Sequence, residues 1–222
     1  MAAKPGAPIL EVSDLVCRRG GRTVFDRLSF AMAKGELMTL LGRNGSGKTT
    51  LLRALALLVR AEVGAIRWQA ADIRQEPEAW RRQIAWLGHL DGLKGDFSVR
   101  ENLLVAERLR GAAPAEDRID SALVAFDLPG LAARPVRNLS AGQRRRAALA
   151  RVLLAQAPVW LLDEPLNALD QPAQQAFHAV LQTHLDAGGL ALVATHAPLA
   201  LPGRSLELIP PARARTDAPP KS

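Results

Sequence analysis

The sequence contains no tyrosine, and its aromatic residues amount to 4% of the 222 positions. Its single cysteine, Cys17, excludes an intrachain disulfide framework and fits a reducing compartment. Apolar runs all fall short of the roughly 18 residues that a membrane-spanning helix needs, and residues 1–8 lack the apolar stretch of a signal peptide. These absences predict a soluble, cytoplasmic chain, which can work at a membrane only by docking onto other subunits.

The chain has an excess of basic residues, with a formal net charge of +7 and a pI near 10.6. A basic balance favours an anionic partner, which could be a nucleotide, a nucleic acid or the anionic surface of a membrane. The same charge could also serve solubility alone. Apolar residues make up 48% of the chain, which is enough for a buried core.

Short apolar segments alternate with segments of helical periodicity, which predicts an α/β fold around a mainly parallel sheet. The predicted strands are 9–30 (a hairpin region turning at Gly20-Gly21), 36–41, 81–87, 159–162 and 190–195, and the predicted helices are 48–58, 99–110, 116–126, 140–156 and 172–187. We expect one domain over 9–209, a flexible N-terminus over 1–8 and a disordered tail over 210–222. His178 and His184 lie six apart on a predicted helix, and we interpret both as surface residues.

A phosphate-binding loop is predicted between a strand and a helix, where the pattern G-x-x-x-x-G-K-[ST] occurs without a gap. It consists of Gly42, Arg43, Asn44, Gly45, Ser46, Gly47, Lys48 and Thr49, followed by Thr50. Glycines let the backbone N–H groups curl inward around phosphate oxygens, and the helix directs its positive dipole end at the same place. In such a loop Lys48 reaches the β- and γ-phosphates, and the hydroxyl of Thr49 binds Mg²⁺.

Two adjacent carboxylates, Asp163 and Glu164, follow four apolar residues of a predicted buried strand. A buried strand ends in paired charges only where something uses them, or where both carboxylates reach solvent. We expect Asp163 to face Mg²⁺ together with Thr49. Glu164 would then lie beside the γ-phosphate, where it could take a proton from the attacking water or hold that water in line.

A further pattern begins the predicted helix over 140–156. It consists of Leu139, Ser140, Ala141, Gly142 and Gln143. Ser140 and Gln143 form a capping box, and Gly142 allows close backbone approach. The three arginines at 144–146 oppose the helix dipole, which is tolerable near an anion or an acidic partner surface.

This pattern resembles the LSGGQ signature of ATP-binding cassette (ABC) ATPases, with Ala141 in place of a glycine. Ala168, Leu169 and Asp170 resemble the D-loop of that family, and His196 resembles its switch histidine, which contacts the γ-phosphate. The resemblance implies a P-loop NTPase (RecA-like) α/β core with an antiparallel β subdomain and a helical subdomain at about 90–150. It also implies ATP and Mg²⁺ as ligands and a head-to-tail dimer, in which the signature of one copy meets the ATP of the other.

Two positions depart from the common cassette pattern. Arg19 stands where most cassettes carry an aromatic residue that stacks on adenine, and a guanidinium plane can also stack on a base. His89 stands where most carry a glutamine that couples the nucleotide to the membrane subunits. An imidazole can bond the attacking water or a metal-bound water, so we count His89 with Glu164, His196 and Lys48 among the catalytic candidates.

The sequence around these departures resembles that of the cassette subunits of cytochrome c maturation systems (CcmA type, haem exporters). The resemblance is carried by Gly88-His89, Gly92-Leu93-Lys94, residues 138–146, residues 160–165, Gly188-Gly189 and residues 195–199. It implies an ATPase on the cytoplasmic face of the bacterial inner membrane, bound to integral-membrane permease subunits and driving the delivery of haem. The chain shows no haem-ligand pattern, so we expect no direct haem binding.

Two other functions stay open. The first is the ATPase subunit of another ABC exporter, which only the membrane partner would distinguish. The second is a soluble cassette ATPase that acts on nucleic acid. That class usually carries two cassettes in one chain or a long coiled-coil insertion, and this sequence has neither, so we expect no direct contact with nucleic acid.

Overall fold

The computed structural model describes residues 7–111, 115–196 and 199–209. Four strands form an antiparallel sheet in the order β2-β1-β4-β5: β1 (Leu10–Arg19), β2 (Arg22–Met32), β4 (Val63–Trp68) and β5 (Ala71–Asp72). Gly20 and Gly21 both have positive φ in the tight turn between β1 and β2, where a side chain would be disfavoured. The predicted hairpin region is therefore confirmed.

Five strands form a second sheet in which each neighbouring pair is parallel, in the order β6-β7-β8-β3-β9. They are β3 (Leu37–Leu41), β6 (Ile84–Leu87), β7 (Val159–Asp163), β8 (Leu190–Ala194) and β9 (Arg204–Glu207). The predicted α/β fold with a parallel core sheet and an antiparallel sheet is confirmed.

The central strands are apolar throughout because both faces of the parallel sheet are covered. Successive side chains of a strand point to opposite faces. Val159 and Leu161 of β7 accordingly belong to one hydrophobic cluster, together with α1 (Lys48–Leu55) and the antiparallel sheet. Trp160 and Leu162 belong to the other cluster, with the larger helices.

Those larger helices are α3 (Val99–Leu109), α4 (Glu116–Ala125), α5 (Ala141–Leu154) and α6 (Gln171–Asp186), and a short α2 (Pro77–Gln83) precedes β6. α3 and α4 lie within the range 90–150 predicted for a helical subdomain, whose limits stay a prediction. Within the described parts of the chain, none of the helices has the length and apolar character that crossing a membrane requires. The predicted tail over 210–222 and most of the predicted N-terminal segment lie outside the described residues.

Most predicted boundaries agree with the structure to within two residues, but three regions differ. The predicted strand 81–87 is wrong in its first half, because Pro77 at the first helical position starts α2 and only 84–87 is extended. The helix predicted to reach residue 58 stops at Leu55, since Leu57 adopts a φ of 56°. The sequence does not predict β4, β5 and β9, because these strands have mixed polarity or only two residues and so lack a clear apolar pattern.

The interpretation of His178 and His184 as surface residues is wrong. The His184 ring stacks on Trp160, with ring centroids 4.0 Å apart, and burial lowers the pKa of His184 below its ordinary value. His178 is half-buried beside Phe177, and burial lowers its pKa as well. The fully buried residues of α6 recur every four positions, and the two histidines flank that stripe, where contacts with Trp160 and the neighbouring Phe177 cover them.

Candidate functional site

A pocket of about 650 Å³ opens at the edge of the parallel sheet where β3, β6, β7 and β8 end. Ligand sites of open parallel sheets lie at this edge because the carboxyl ends of neighbouring strands meet there. The pocket is lined by Arg19, Val24, Asn44, Gly45, Ser46, Gly47, Lys48, Thr49, Thr50, Arg53, His89, Asp163, Glu164, Asn167 and His196. Candidate residues from five separate parts of the sequence are thus brought together.

The loop over residues 42–49 is shaped by glycines in conformations that other residues rarely adopt. Gly42, Gly45 and Gly47 have φ values of 141°, 80° and 106°. A Cβ on Gly42 would lie 2.5 Å from Ser46 Oγ, and one on Gly47 would lie 2.6 Å from Val24 Cγ1. The loop can therefore close against its surroundings only with glycine at these positions.

The loop holds polar groups that suit an anion. The buried Lys48 ammonium donates to the carbonyls of Gly42 and Arg43, at 2.6 and 3.3 Å. Ser46 Oγ is buried without a hydrogen-bond partner among the described residues. α1 begins at Lys48, after Gly47, with no side-chain cap from the described chain and no acidic residue in its first turn. Phosphate oxygens would satisfy these groups, so the loop fits the ligand that its sequence predicts.

The two predicted Mg²⁺ ligands meet in the same pocket. Thr49 Oγ1 donates to Asp163 Oδ2 at 2.8 Å, across 114 positions of sequence. Asp163 is 3% exposed at the end of β7. A hydroxyl and a carboxylate this close are oxygen donors of the kind that Mg²⁺ uses beside phosphate, so the residues present fit the metal.

Glu164 lies at the rim of the pocket in a strained backbone conformation. Its φ is 50°, and its N–H donates to the carbonyl of Ala194 at 2.8 Å. Its side chain is 15% exposed, and Oε1 lies 3.2 Å from Nε2 of His196. Strained residues of this kind are common at active sites, where the surrounding fold holds them in place. The structure thus pairs two of the four catalytic candidates directly.

The two departures from the common cassette pattern line the pocket as exposed residues. Arg19 ends β1 beside the turn at Gly20, and His89 follows β6 by two positions. Because both side chains line the pocket, Arg19 can reach a bound base and His89 can reach a bound water, as the sequence predicts.

Val24, Arg53 and Asn167 line the pocket but were not among the predicted site residues. Arg53 lies four positions after Thr49 on α1, so the helical repeat places both on one face and could have indicated it. Asn167 lies in the turn after Glu164, whose carbonyl accepts from its N–H at 3.2 Å. Val24 carries no local signal, because only the pairing of β1 with β2 brings it to the loop.

The signature and D-loop residues line a different pocket, of about 290 Å³. Ser140 Oγ accepts from the N–H of Gln143 at 3.2 Å, and Gln143 Oε1 accepts from the N–H of Ser140 at 2.9 Å, so the predicted capping box is confirmed. A Cβ on Gly142 would lie 2.6 Å from the carbonyl oxygen of Ala168, which explains why a glycine stands there. Asp170 caps α6 by accepting from the N–H of Ala173.

Among the described residues, this second pocket shares no lining residue with the pocket at the edge of the parallel sheet, which is called the nucleotide pocket from here on. Its lining consists of Ser140, Gly142, Gln143, Arg146, Ala168, Leu169, Asp170 and Ala173. The structure therefore joins the phosphate loop, Asp163, Glu164, His89 and His196 in one pocket, and leaves the signature facing elsewhere.

Comparison with known proteins agrees with this geometry. Residues 25–167 match the profile of the ABC transporter family. The chain is 46% identical over 202 residues to the cytochrome c biogenesis ATP-binding export protein CcmA of Cupriavidus necator, covering 90% of this chain and 88% of that protein. It is 45% identical over 206 residues to the protein of the same name from Rhodospirillum rubrum, with 92% and 88% covered.

Solved structures show the same fold. An ATP-binding subunit of an ABC transporter superposes with a TM-score of 0.79 at 27% identity, covering 85% of this chain and 79% of that one. An ABC transporter ATP-binding protein from Pyrococcus furiosus gives a TM-score of 0.79 at 25% identity, covering 90% and 96%. The match to the family profile, the identity to these relatives and the shared fold agree: the chain belongs to the ABC transporter family, as an ATP-binding subunit of the CcmA type.

Proposed function

We propose that the chain hydrolyses MgATP in the pocket at the carboxyl edge of the parallel sheet, and that hydrolysis drives a membrane export complex for cytochrome c biogenesis. The observation that supports the chemistry best is the pairing of Thr49 with Asp163 beside the Glu164–His196 pair. These four residues lie with the buried Lys48 around a single pocket.

In this proposal the phosphate loop binds the triphosphate through its backbone N–H groups, the ammonium of Lys48 and the hydroxyl of Ser46. Lys48 would exchange its contacts with the carbonyls of Gly42 and Arg43 for phosphate oxygens. Thr49 Oγ and Asp163 would hold Mg²⁺, which when bound supplies positive charge to the phosphate oxygens. Arg19 would stack on the adenine base from the rim.

Glu164 is the proposed base, or the residue that orients water, for hydrolysis. The water oxygen bonds to the γ-phosphorus while the bond from that phosphorus to the β–γ bridging oxygen breaks, giving ADP and phosphate. The water proton passes to the Glu164 carboxylate or is directed by it. His196 contacts Glu164 through Nε2 and would bind a γ-phosphate oxygen, and His89, which lines the same pocket, would bond the water.

We propose further that two copies pack head to tail. The signature pocket contains a capped helix start and lies apart from the nucleotide pocket of its own chain. Ser140 Oγ already accepts a bond from Gln143, but its own proton remains available to donate to a phosphate oxygen. A second copy would place this hydroxyl, with Ala141, Gly142 and Leu139, against the ATP of the first.

The transport role rests on the relatives. Proteins named cytochrome c biogenesis ATP-binding export protein share 45–46% identity with this chain over about 90% of its length. We propose that it binds the integral-membrane permease subunits of such a system at the cytoplasmic face of the inner membrane, as a peripheral subunit. Haem delivery is the proposed outcome, with haem handled by the partners. The main alternative is a different ABC exporter served by the same ATPase.

A pull-down would test the transport role. Tagged Glu164→Gln protein is recovered with ATP from detergent-solubilised membranes of its host, and the co-purified proteins are identified by mass spectrometry. Recovery of cytochrome c maturation membrane subunits, which is the expected result, supports the proposal. An unrelated permease would replace it with the alternative exporter, and ribosomes or nucleic acid would contradict the transport role. A Lys48→Ala sample without ATP serves as the control for retention that does not depend on nucleotide.

A further inference from the structure

The three consecutive arginines at 144–146 have different surroundings, and the middle one is buried. Arg145 is 4% exposed in the second turn of α5, close behind the signature. Arg144 donates to the carbonyl of Leu139 next to its own helix, and Arg146 donates to the carbonyls of Phe126 and Asp127 in the helical part of the fold. Arg145 instead turns inward, under the floor of the nucleotide pocket.

The guanidinium of Arg145 bonds two segments that line the nucleotide pocket. Nη2 donates to the carbonyls of Asp163 and Glu164 at 2.6 and 2.7 Å, and Nε donates to the carbonyl of Pro165 at 3.3 Å. Nη1 donates to the carbonyl of Gly88 at 3.1 Å and to Asp91 Oδ1 at 3.0 Å. The segment 163–165 carries Glu164, and the segment 88–91 carries His89.

These bonds hold Glu164 from the side opposite to its other anchor. Its N–H is bound to Ala194 of β8, while its carbonyl is bound to Arg145. A non-glycine residue at a φ of 50° keeps that conformation only where its surroundings enforce it. A planar guanidinium with donors in a rigid fork can bind three successive carbonyls and a second segment at once, which an ammonium cannot do.

We propose that Arg145 is a positioning residue, which directs the Glu164 carboxylate into the nucleotide pocket and ties it to the signature helix. The proposal rests on the proposed role of Glu164. Because Ser140 caps α5 and Arg145 lies in the second turn of the same helix, contact of Ser140 with a partner's nucleotide is transmitted to the Glu164 turn of its own chain. The two ATP sites of a dimer are thereby linked through Arg145.

The test compares Arg145→Gln and Arg145→Lys in the complex purified with its membrane subunits. The expected result is a kcat lower by about 10- to 100-fold, since displacement of a reacting group by about 1 Å can cost that much. KM for ATP should change by less than about twofold, because the phosphate loop is untouched. The lysine variant keeps the buried charge and provides the measurement should the glutamine variant not fold.

Arg118→Gln is the matched control. Arg118 pairs with the buried Glu107 in the helical part of the fold, so its loss destabilises the chain without touching Glu164. At a temperature below its own unfolding transition this variant should keep the kcat of the unchanged protein. An equal fall in kcat for Arg118→Gln and the Arg145 variants would assign the effect to stability and overturn the proposal.

A double-mutant cycle separates this inference from the proposed function. In single-turnover measurements Arg145→Gln should change the rate by less than about twofold in a Glu164→Gln background, because its effect passes through Glu164. An equal loss of rate in both backgrounds would overturn the proposed role of Arg145 and leave the proposed function unaffected. Full turnover by Glu164→Gln itself would instead contradict the proposed function.

Discussion

The helices α1 and α5 both begin at segments that the sequence assigns to phosphate, but they begin in different ways. α1 starts after Gly47 in a left-handed conformation, with no cap from any described side chain. α5 starts after Ser140, and a complete capping box binds the N–H groups of Ser140 and Gln143 within the chain. The described chain provides no side-chain cap for the start of α1, whereas it caps the start of α5 without any ligand.

This difference matches the two proposed partners. At the start of α1, the Ser46 hydroxyl has no hydrogen-bond partner among the described residues and Lys48 faces inward, so a bound triphosphate would complete it. The start of α5 keeps its shape in a single copy and needs only to meet the nucleotide of another. We therefore expect nucleotide binding and dimer formation to be separable by substitution.

Lys48→Ala should have the largest effect. Removing the charged donor from the phosphate loop should weaken ATP binding by about 10- to 100-fold and abolish turnover. Titration with a fluorescent ATP analogue and a phosphate-release assay measure the two effects. Lys34→Ala, an exposed lysine before β3 at the opposite edge of the sheet, is the control and should bind ATP normally. Normal affinity in Lys48→Ala would contradict the assignment of the loop.

Ser140→Arg, at the start of α5, should have the next largest effect. The long cation fills the signature pocket, so ATP binding by one copy should be unchanged while the ATP-dependent dimer is lost. Light scattering coupled to gel filtration, in the Glu164→Gln background, measures the mass with and without ATP. A dimer that still forms on addition of ATP would show that the head-to-tail arrangement is wrong.

A smaller effect is expected for Ser140→Ala, and Ser98→Ala is its matched control. Ser98 caps α3 with Glu101 by the same capping box, so each substitution should cost about 1 kcal/mol and lower Tm by roughly 2–4 °C. Only Ser140→Ala should also weaken the ATP-dependent dimer. If both variants weakened it equally, the hydroxyl of Ser140 would have no role beyond capping.

The smallest effect concerns the opposite edge of the sheet, where His184 stacks on Trp160. Burial lowers the pKa of His184 in the folded state, and that of His178 likewise, so the unfolded chain binds protons more readily. Stability should therefore be full above about pH 6.5 and fall as the pH drops below it.

This loss of stability should be smaller than the loss caused by the cap substitutions. Thermal unfolding between pH 7.5 and 5.5 measures the loss, and His184→Phe, which keeps a ring beside Trp160 without titrating, should reduce it. An unchanged pH dependence in that variant would remove His184 from the explanation.

Much of the fold was predictable where local pattern and burial agree. Residues 159–162 and 190–194 are apolar on both faces, and the capping box of Ser140 and Gln143 marks where α5 begins. The short, polar β9 was missed because its pairing with β3 supplies what its own residues do not. The sequence does not distinguish Arg145 from the two adjacent arginines for a similar reason: only tertiary packing decides which of the three side chains is buried.

The sequence by itself determined the phosphate loop, the Asp163-Glu164 pair and the signature, because each depends on neighbouring residues and on backbone conformations that glycine and capping side chains dictate locally. Tertiary structure decided which of these share a pocket. Strand order brings Thr49 to Asp163 and His196 to Glu164, and burial gives Arg145 its five partners. Contacts between residues more than a hundred positions apart arise from the pairing of whole strands, and no local pattern carries that information.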